Sequence, residues 1–371
     1  MKAFLLFDRA STFDGIYVMF MVNRMQMLYF FLLMPLFLVH PYMIWGIIAV
    51  GYLSQIILIM LSKWLASDFS AKGYQGFVQL FGERMVRFLA IVGLFFILIK
   101  ITVITLGYAE MVHQFIFPSM NPTWMIVFLF FVSLYVAVQG IGNMIRLFVI
   151  AFFCTIWTIF LYIPFFFPPN ASLYDLYPLI PAEWPMDSWK GLLLLLSSLS
   201  GPEYLICVAP WLRPQPKVLK YLTIGNAISV LEYLIVFIAS LLFFGSNYLS
   251  KSNFPVINMI RYLQSPFIER IDIILLSIYM FHFVIVISIL ILFFYGAARI
   301  IFRRLQEQTT RIGFLASFMT VFVCIVLANE WFWKIEEKRS ILLDLQIWSG
   351  SLTYLLVPAF LLIAGKIKGR V

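Results

Sequence analysis

The chain has 371 residues, 63% of them apolar and 12% charged, with 26 basic against 17 acidic side chains and a formal net charge of +9. A soluble domain carries roughly 45–50% apolar and about 25% charged residues, so too little polar material remains here to coat a water-facing surface. A soluble enzyme, a disordered chain and a secreted disulfide-rich miniprotein are excluded, and the continuous apolar runs of about twenty residues fit membrane-spanning helices rather than the alternating segments of a barrel.

Taken in chain order, the opening MKAFLLFDRA offers only Ala3–Phe7 before Asp8 and Arg9. That is too short for a cleavable signal, so the first span is expected to direct insertion itself. Span 1 is read over 14–38 and contains Val22-Asn23-Arg24-Met25-Gln26-Met27 between two apolar halves. Either the helix breaks here, with the Asn and Gln side chains taking up freed backbone groups, or the span begins later and these residues lie near the cytoplasmic face. Spans 2 and 3 are read over 42–62 and 87–113, with the intervening loop weakly amphipathic and suited to the interface. Span 3 carries Lys100 near its middle, in Leu98-Ile99-Lys100-Ile101-Thr102. An ammonium at membrane depth needs a carboxylate or a carbonyl cage; Glu203 and Glu232 are candidate partners, and a fixed charge replacing a coupling cation is a further reading. Glu110 and His113, one turn apart, read as a pair at the outer interface.

Spans 4 and 5 are read over 123–140 and 145–167, and span 6 over 189–209. Span 6 holds Leu199-Ser200-Gly201-Pro202-Glu203, where proline removes a donor and glycine tolerates the resulting backbone. Such a break survives in a membrane where it lines a cavity or is buried in protein; a plain proline kink is the simpler reading. The polar interruptions at Asn23 and Gly201 fall in the first spans of two five-span halves. Paired interruptions of this kind point to an inverted-repeat transporter fold with its site at the midplane. Span 7, over 221–245, carries Glu232; span 8, over 272–298, carries His282, as a helix–helix hydrogen-bond partner or a proton relay. Spans 9 and 10 are read over 312–333 and 346–365. The whole is one transmembrane domain, 1–371, with halves 1–167 and 188–371.

Ten spans put both termini on one side, and the basic residues divide accordingly. Seventeen Lys and Arg fall in the termini and loops of that side and seven in the loops of the other, with Arg24 and Lys100 inside spans. Excess Lys and Arg mark the cytoplasmic side, so both termini are expected there. Cys154, Cys207 and Cys324 lie inside apolar runs and form neither a disulfide framework nor a metal site. Neither H-E-x-x-H, C-x-x-C, G-x-S-x-G nor a phosphate-binding loop is present, so no enzymatic activity, cofactor or metal is expected.

The loop before span 8 runs Phe254-Pro255-Val256-Ile257-Asn258-Met259-Ile260-Arg261-Tyr262-Leu263-Gln264-Ser265-Pro266-Phe267-Ile268-Glu269-Arg270-Ile271-Asp272. With the Gly140…Arg146 spacing at the start of span 5, it resembles the outer-loop signature of the B subunits of spore germinant receptors, the spore germination permease family. The resemblance covers essentially the whole chain. It implies an all-α, ten-helix, five-plus-five inverted repeat of the LeuT type, shared with the amino acid–polyamine–organocation superfamily, with helices 1 and 6 broken. It also implies a nutrient sensor in the inner spore membrane, binding a small nutrient, an amino acid favoured, at mid-membrane and working with A and C subunits to trigger germination; a proton- or sodium-coupled amino-acid or solute transporter is the alternative. Carried onto this chain, the ligand site would comprise Asn23, Arg24, Gln26, Lys100, Thr102, Ser200, Gly201 and Glu203, with the helix 6 break at Gly201 and Pro202. A partner or gating loop would comprise Phe254, Pro255, Arg261, Pro266, Glu269, Arg270 and Asp272. The family commonly has a glycine-containing break in span 1, where this chain has Asn23-Arg24-Met25-Gln26, and an acidic residue where it has Asn143. Arg24 or helix N-terminal donors could meet an α-carboxylate, and Glu203 or carbonyls an amino group; a sugar or nucleoside is also allowed.

Overall fold

In a bilayer every backbone N–H and C=O must be paired within the protein, and a helix does this locally. The apolar runs accordingly fold as helices in the computed structural model, which describes residues 6–7, 12–33, 38–181, 186–213, 217–263, 269–305 and 307–368. In order these are α1 (Gly15–Leu33), α2 (Met43–Leu65), short α3 (Asp68–Lys72) and α4 (Tyr74–Phe81), α5 (Glu83–Phe115), α6 (Pro122–Ala137), α7 (Ile141–Ile156), α8 (Met186–Ser198), α9 (Leu205–Val208), α10 (Val218–Leu249), α11 (Pro255–Arg261), α12 (Ile271–Ile301), α13 (Arg311–Ala328) and α14 (Glu336–Ile367). Among the described residues nine helical segments are long and apolar enough to cross a membrane, and the 16-residue α6 is a shorter apolar helix. Together they match the ten expected spans.

Local sequence explains the ends. Asn121 caps α6 by accepting from Thr123 N at 3.0 Å, with Pro122 in the first turn; Thr310 caps α13 through Gly313 N at 3.2 Å. Gly140, at φ +82°, separates α6 from α7. Span 5 is α-helical only to Ile156 and continues as a 3-10 helix over Trp157–Phe166, which contains Pro164. Proline lacks the N–H and crowds the carbonyl four residues earlier, which disfavours α pairing around it, although α14 accommodates Pro358 within its helix.

The two expected helix breaks differ. Span 6 is interrupted: α8 ends at Ser198, Gly201 has φ +154°, a 3-10 turn covers Pro202–Tyr204, and α9 leads into a second 3-10 turn at Ala209–Trp211. Span 1 is not interrupted over the described residues, because Asn23 to Gln26 lie inside continuous α1. The physical reason is composition. Residues 16–33 contain no glycine or proline, and sharp helix distortions need such a residue or an inserted group.

The helix α1 packs against α10, α7 and α8, α12 against α5, α6 and α7, and α14 against α2 and α8. The broken span, α1 and α12 are the most buried membrane segments, while α13 is the most peripheral. Before α1, Phe13 N donates to Trp211 O at 2.8 Å and Phe13 O accepts from Arg213 N at 3.0 Å, so the entry to span 1 is stitched to the exit from span 6.

Candidate functional site

The break in span 6 is built by sequence and then filled by buried polar groups. At Gly201 the backbone passes directly against α1: a Cβ there would lie 2.6 Å from Met25 Cβ and 3.2 Å from the Met25 carbonyl carbon and oxygen. Only glycine permits both this approach and the positive φ. The backbone groups released by the break find charged partners. Gly201 N donates to Glu203 Oε2 at 2.6 Å, and Ser200 O accepts from Lys100 Nζ at 3.0 Å. The Ser200 hydroxyl accepts from Lys100 Nζ at 3.0 Å and donates to Glu203 Oε1 at 2.6 Å, so it stands between the two charges. The Lys100 ammonium also lies 4.9 Å from the centre of the Tyr204 ring and 5.5 Å from that of Tyr29, within cation–π reach. Tyr29 in turn donates to Lys100 O at 3.2 Å. Lys100 and Glu203 are each only 3% exposed, so these contacts replace hydration.

A second network lies beside it on α1. The Arg24 NH2 group donates to both carboxylate oxygens of Glu232, at 2.8 and 2.9 Å. Its Nε donates to Asn23 Oδ1 at 2.8 Å and its NH1 to the Thr155 hydroxyl. Asn23 Nδ2 reaches Glu232 Oε2 at 2.7 Å and Ser229 Oγ at 3.0 Å. His282 Nε2 lies 2.7 Å from Arg24 O; a carbonyl only accepts, so that nitrogen carries the proton and His282 ties α12 to α1. Arg24 is fully buried and joins α1, α7 and α10. Two residues further along α1, Gln26 Nε2 donates to Asn226 Oδ1 at 3.1 Å, and Asn226 Oδ1 also accepts from Ser54 Oγ at 2.7 Å. The Ser54 hydroxyl pairs with Tyr354 at 2.6 Å.

The expected site residues therefore divide. Lys100, Ser200, Gly201 and Glu203 converge with the Pro202 break. Asn23 and Arg24 form a separate cluster with Glu232, so Arg24 already has a carboxylate, and the expected availability of Arg24 to a ligand gives way to an internal pair. Gln26 belongs to the Asn226 chain. Thr102 joins none of these, because its hydroxyl turns back to Leu98 O on its own helix at 2.7 Å. Of the two proposed partners of Lys100, Glu203 is the one linked to it, through Ser200. Glu110, expected to pair with His113, accepts from Trp333 Nε1 at 2.7 Å and from Arg339. Sequence reasoning missed Tyr29, Tyr204, Thr155, Ser229 and Asn226. A signal did exist for part of this set: Asn226, Ser229 and Glu232 recur every three residues along α10.

In the loop before α12, Arg270 clasps Asp272 through Nε at 3.1 Å and NH2 at 2.8 Å, and donates to Phe115 O at 2.8 Å. Phe254 meets Phe115 edge-on at 6.1 Å, and Pro255 is buried with the inner face of α11. Arg261 and Glu269 are exposed. Pro266 lies outside the described residues.

A helical membrane chain whose sixth span breaks against its first, with buried polar groups at the contact, has the architecture of LeuT-type transporters. The structure of Mhp1, a nucleobase-cation-symport-1 family transporter with bromovinylhydantoin bound, is similar at a TM-score of 0.54, over 99% of this chain and 96% of that one, at 11% identity. A manganese transporter mutant from Eremococcus coleocola reaches 0.49 over 94% and 77% of the two chains, also at 11% identity. The profile of the spore germination protein family matches residues 17–332. The chain belongs to that family, one of permease-like membrane proteins rather than enzymes. The spore germination protein GerQB of Bacillus cereus is 29% identical over 175 residues, 47% of this chain and 48% of GerQB, so the match spans about half the length of that relative.

Proposed function

We propose that this protein is the nutrient-sensing membrane subunit of a spore germinant receptor, binding a small nutrient at the span 6 break and signalling through A and C subunits. Family membership supports the germination role. The observation that carries the site is the break itself: the Gly201 N–H and Ser200 C=O, freed from helical pairing, lie buried against α1 and beside Lys100 of α5. In this reading the protein sits in the inner spore membrane with both termini cytoplasmic, as one domain of two halves, 1–167 and 188–371. A nutrient acts by binding one arrangement of α1, α5 and span 6 more tightly than another, since a ligand shifts an equilibrium only through differential affinity. The outer loop, clasped to α5 through Arg270 and Asp272, presents Arg261 and Glu269 as partner or gating contacts.

The test is dipicolinic acid release from spores of the native organism carrying an in-frame deletion, across amino acids, sugars and nucleosides. Loss of response to one nutrient class is expected, and Gly201→Ala at the native locus should reproduce it with protein level unchanged. Accumulation of labelled amino acid in vesicles holding the purified chain, with nutrient response intact in the deletion, would replace this reading with transport.

A further inference from the structure

The break holds two ionic seats, and the protein's own side chains fill both. The first is a carboxylate seat. Gly201 N–H and the Ser200 hydroxyl each donate to a different oxygen of the same carboxylate, Glu203, at 2.6 Å and 2.6 Å. The second is an ammonium seat. Ser200 O and Oγ accept from Lys100 Nζ at 3.0 Å each, and the rings of Tyr204 and Tyr29 flank the charge. The seats share one atom, Ser200 Oγ, so the two charges flank a single hydroxyl without forming a direct ion pair. They also come from different elements: Glu203 is tethered two residues from Gly201, while Lys100 reaches in from α5.

We propose that Lys100 and Glu203 act as a built-in surrogate ligand, and that a free zwitterionic amino acid works by displacing them from the break. This rests on the ligand site lying at the break, as proposed above. Charge bookkeeping favours the exchange. A zwitterion brings one ammonium and one carboxylate, so the seats stay balanced, and the displaced Lys100 and Glu203 are opposite charges free to pair directly. No unpaired ion is left at membrane depth, where it would be costly. A sugar or nucleoside has no fixed ion pair with which to replace the surrogate. Arg24 offers no competing carboxylate seat, because its guanidinium is committed to Glu232, Asn23 and Thr155. The ligand class is therefore a zwitterionic amino acid, recognised by its ammonium and its carboxylate. In the ligand-free protein the Lys100–Ser200–Glu203 chain holds α5 to span 6, and displacement releases it.

The test uses spores carrying the full chain at its native locus, with protein level followed by immunoblot. Germination is read as dipicolinic acid release, without nutrient and against an equal mixture of the proteinogenic L-amino acids. The charge-balanced double variant Lys100→Met with Glu203→Leu empties both seats, and the single variant Glu203→Gln weakens one; the single variant decides if the double does not accumulate. Displacement predicts higher nutrient-free release and a half-saturating amino-acid concentration lowered about tenfold, within the range typical of coupled sites. If Lys100 and Glu203 instead contact the nutrient directly, the half-saturating concentration rises and nutrient-free release stays at the wild-type level; that result, or no change in either readout, overturns the proposal. Gly201→Ala separates the two failures. A wild-type response there removes the break as the site and both readings fall, whereas a lost response there without gain in the charge variants removes the surrogate alone.

Discussion

A guanidinium at membrane depth persists only when its charge and donors are met. Arg24 is met by Glu232, Asn23 and Thr155, which makes it a brace between helices. Removing one partner of a buried pair costs about 3–5 kcal/mol, far more than removing both. Glu232→Gln is therefore expected to lower the thermal midpoint of the purified chain in detergent strongly, while Arg24→Met combined with Glu232→Met recovers most of the loss. A single variant as stable as wild type would mean that the pair is not what braces α1. Thr102 gives the opposite expectation: its hydroxyl serves only Leu98 O, so Thr102→Val should keep wild-type stability and nutrient response, and a shifted nutrient specificity would return Thr102 to the site. In the sequence both residues were simply polar groups in apolar spans. Nothing local to Arg24 identifies its partner, since Glu232 is 208 residues away, and only the three-residue polar stripe on α10 hinted at it.

At the scale of elements, the spans were legible because twenty apolar residues have few alternatives in a bilayer. The break in span 6 was legible because Gly201-Pro202 carries its own mechanism. Span 1 misled because polar side chains in a helix resemble the companions of a break, yet the backbone stays helical when the partners arrive from neighbouring helices. The outer loop is a further case: its signature residues were visible, but their clasp to α5 was not. Arg270 joins Asp272 to Phe115 O, while α11 buries Val256, Ile257 and Ile260 beneath it. Arg270→Gln should loosen the loop locally, so trypsin should cut at exposed Arg261 several-fold faster, with the spans intact. Unchanged cleavage would mean that the apolar face of α11 holds the loop without the clasp.

The molecule as a whole has two polar faces, and contacts between loops sort the chain between them. Arg303 lies 3.9 Å from Glu83, Lys368 donates to Gln79 O at 2.5 Å, and Arg213 approaches Asp14 at 3.3 Å. These put the loop after α12, the stretch between α2 and α5, the end of α14 and the entry to α1 on one face. The opposite face gathers Arg339 with Glu110, Arg270 with Phe115, and Ser172 N with Leu242 O at 2.9 Å. By sequence, seventeen Lys and Arg fall in the termini and loops of one side and seven in those of the other, and the proposed cytoplasmic placement of the richer side rests on that bias. Tyr174, 90% exposed, is on the poorer face and Arg304 on the richer one. With Cys154, Cys207 and Cys324 replaced by alanine, a membrane-impermeant maleimide added to intact cells should label Tyr174→Cys and spare Arg304→Cys until the membrane is permeabilised. The reverse pattern would put both termini outside and would turn the clasped loop before α12, with its proposed partner surface, toward the cytoplasm.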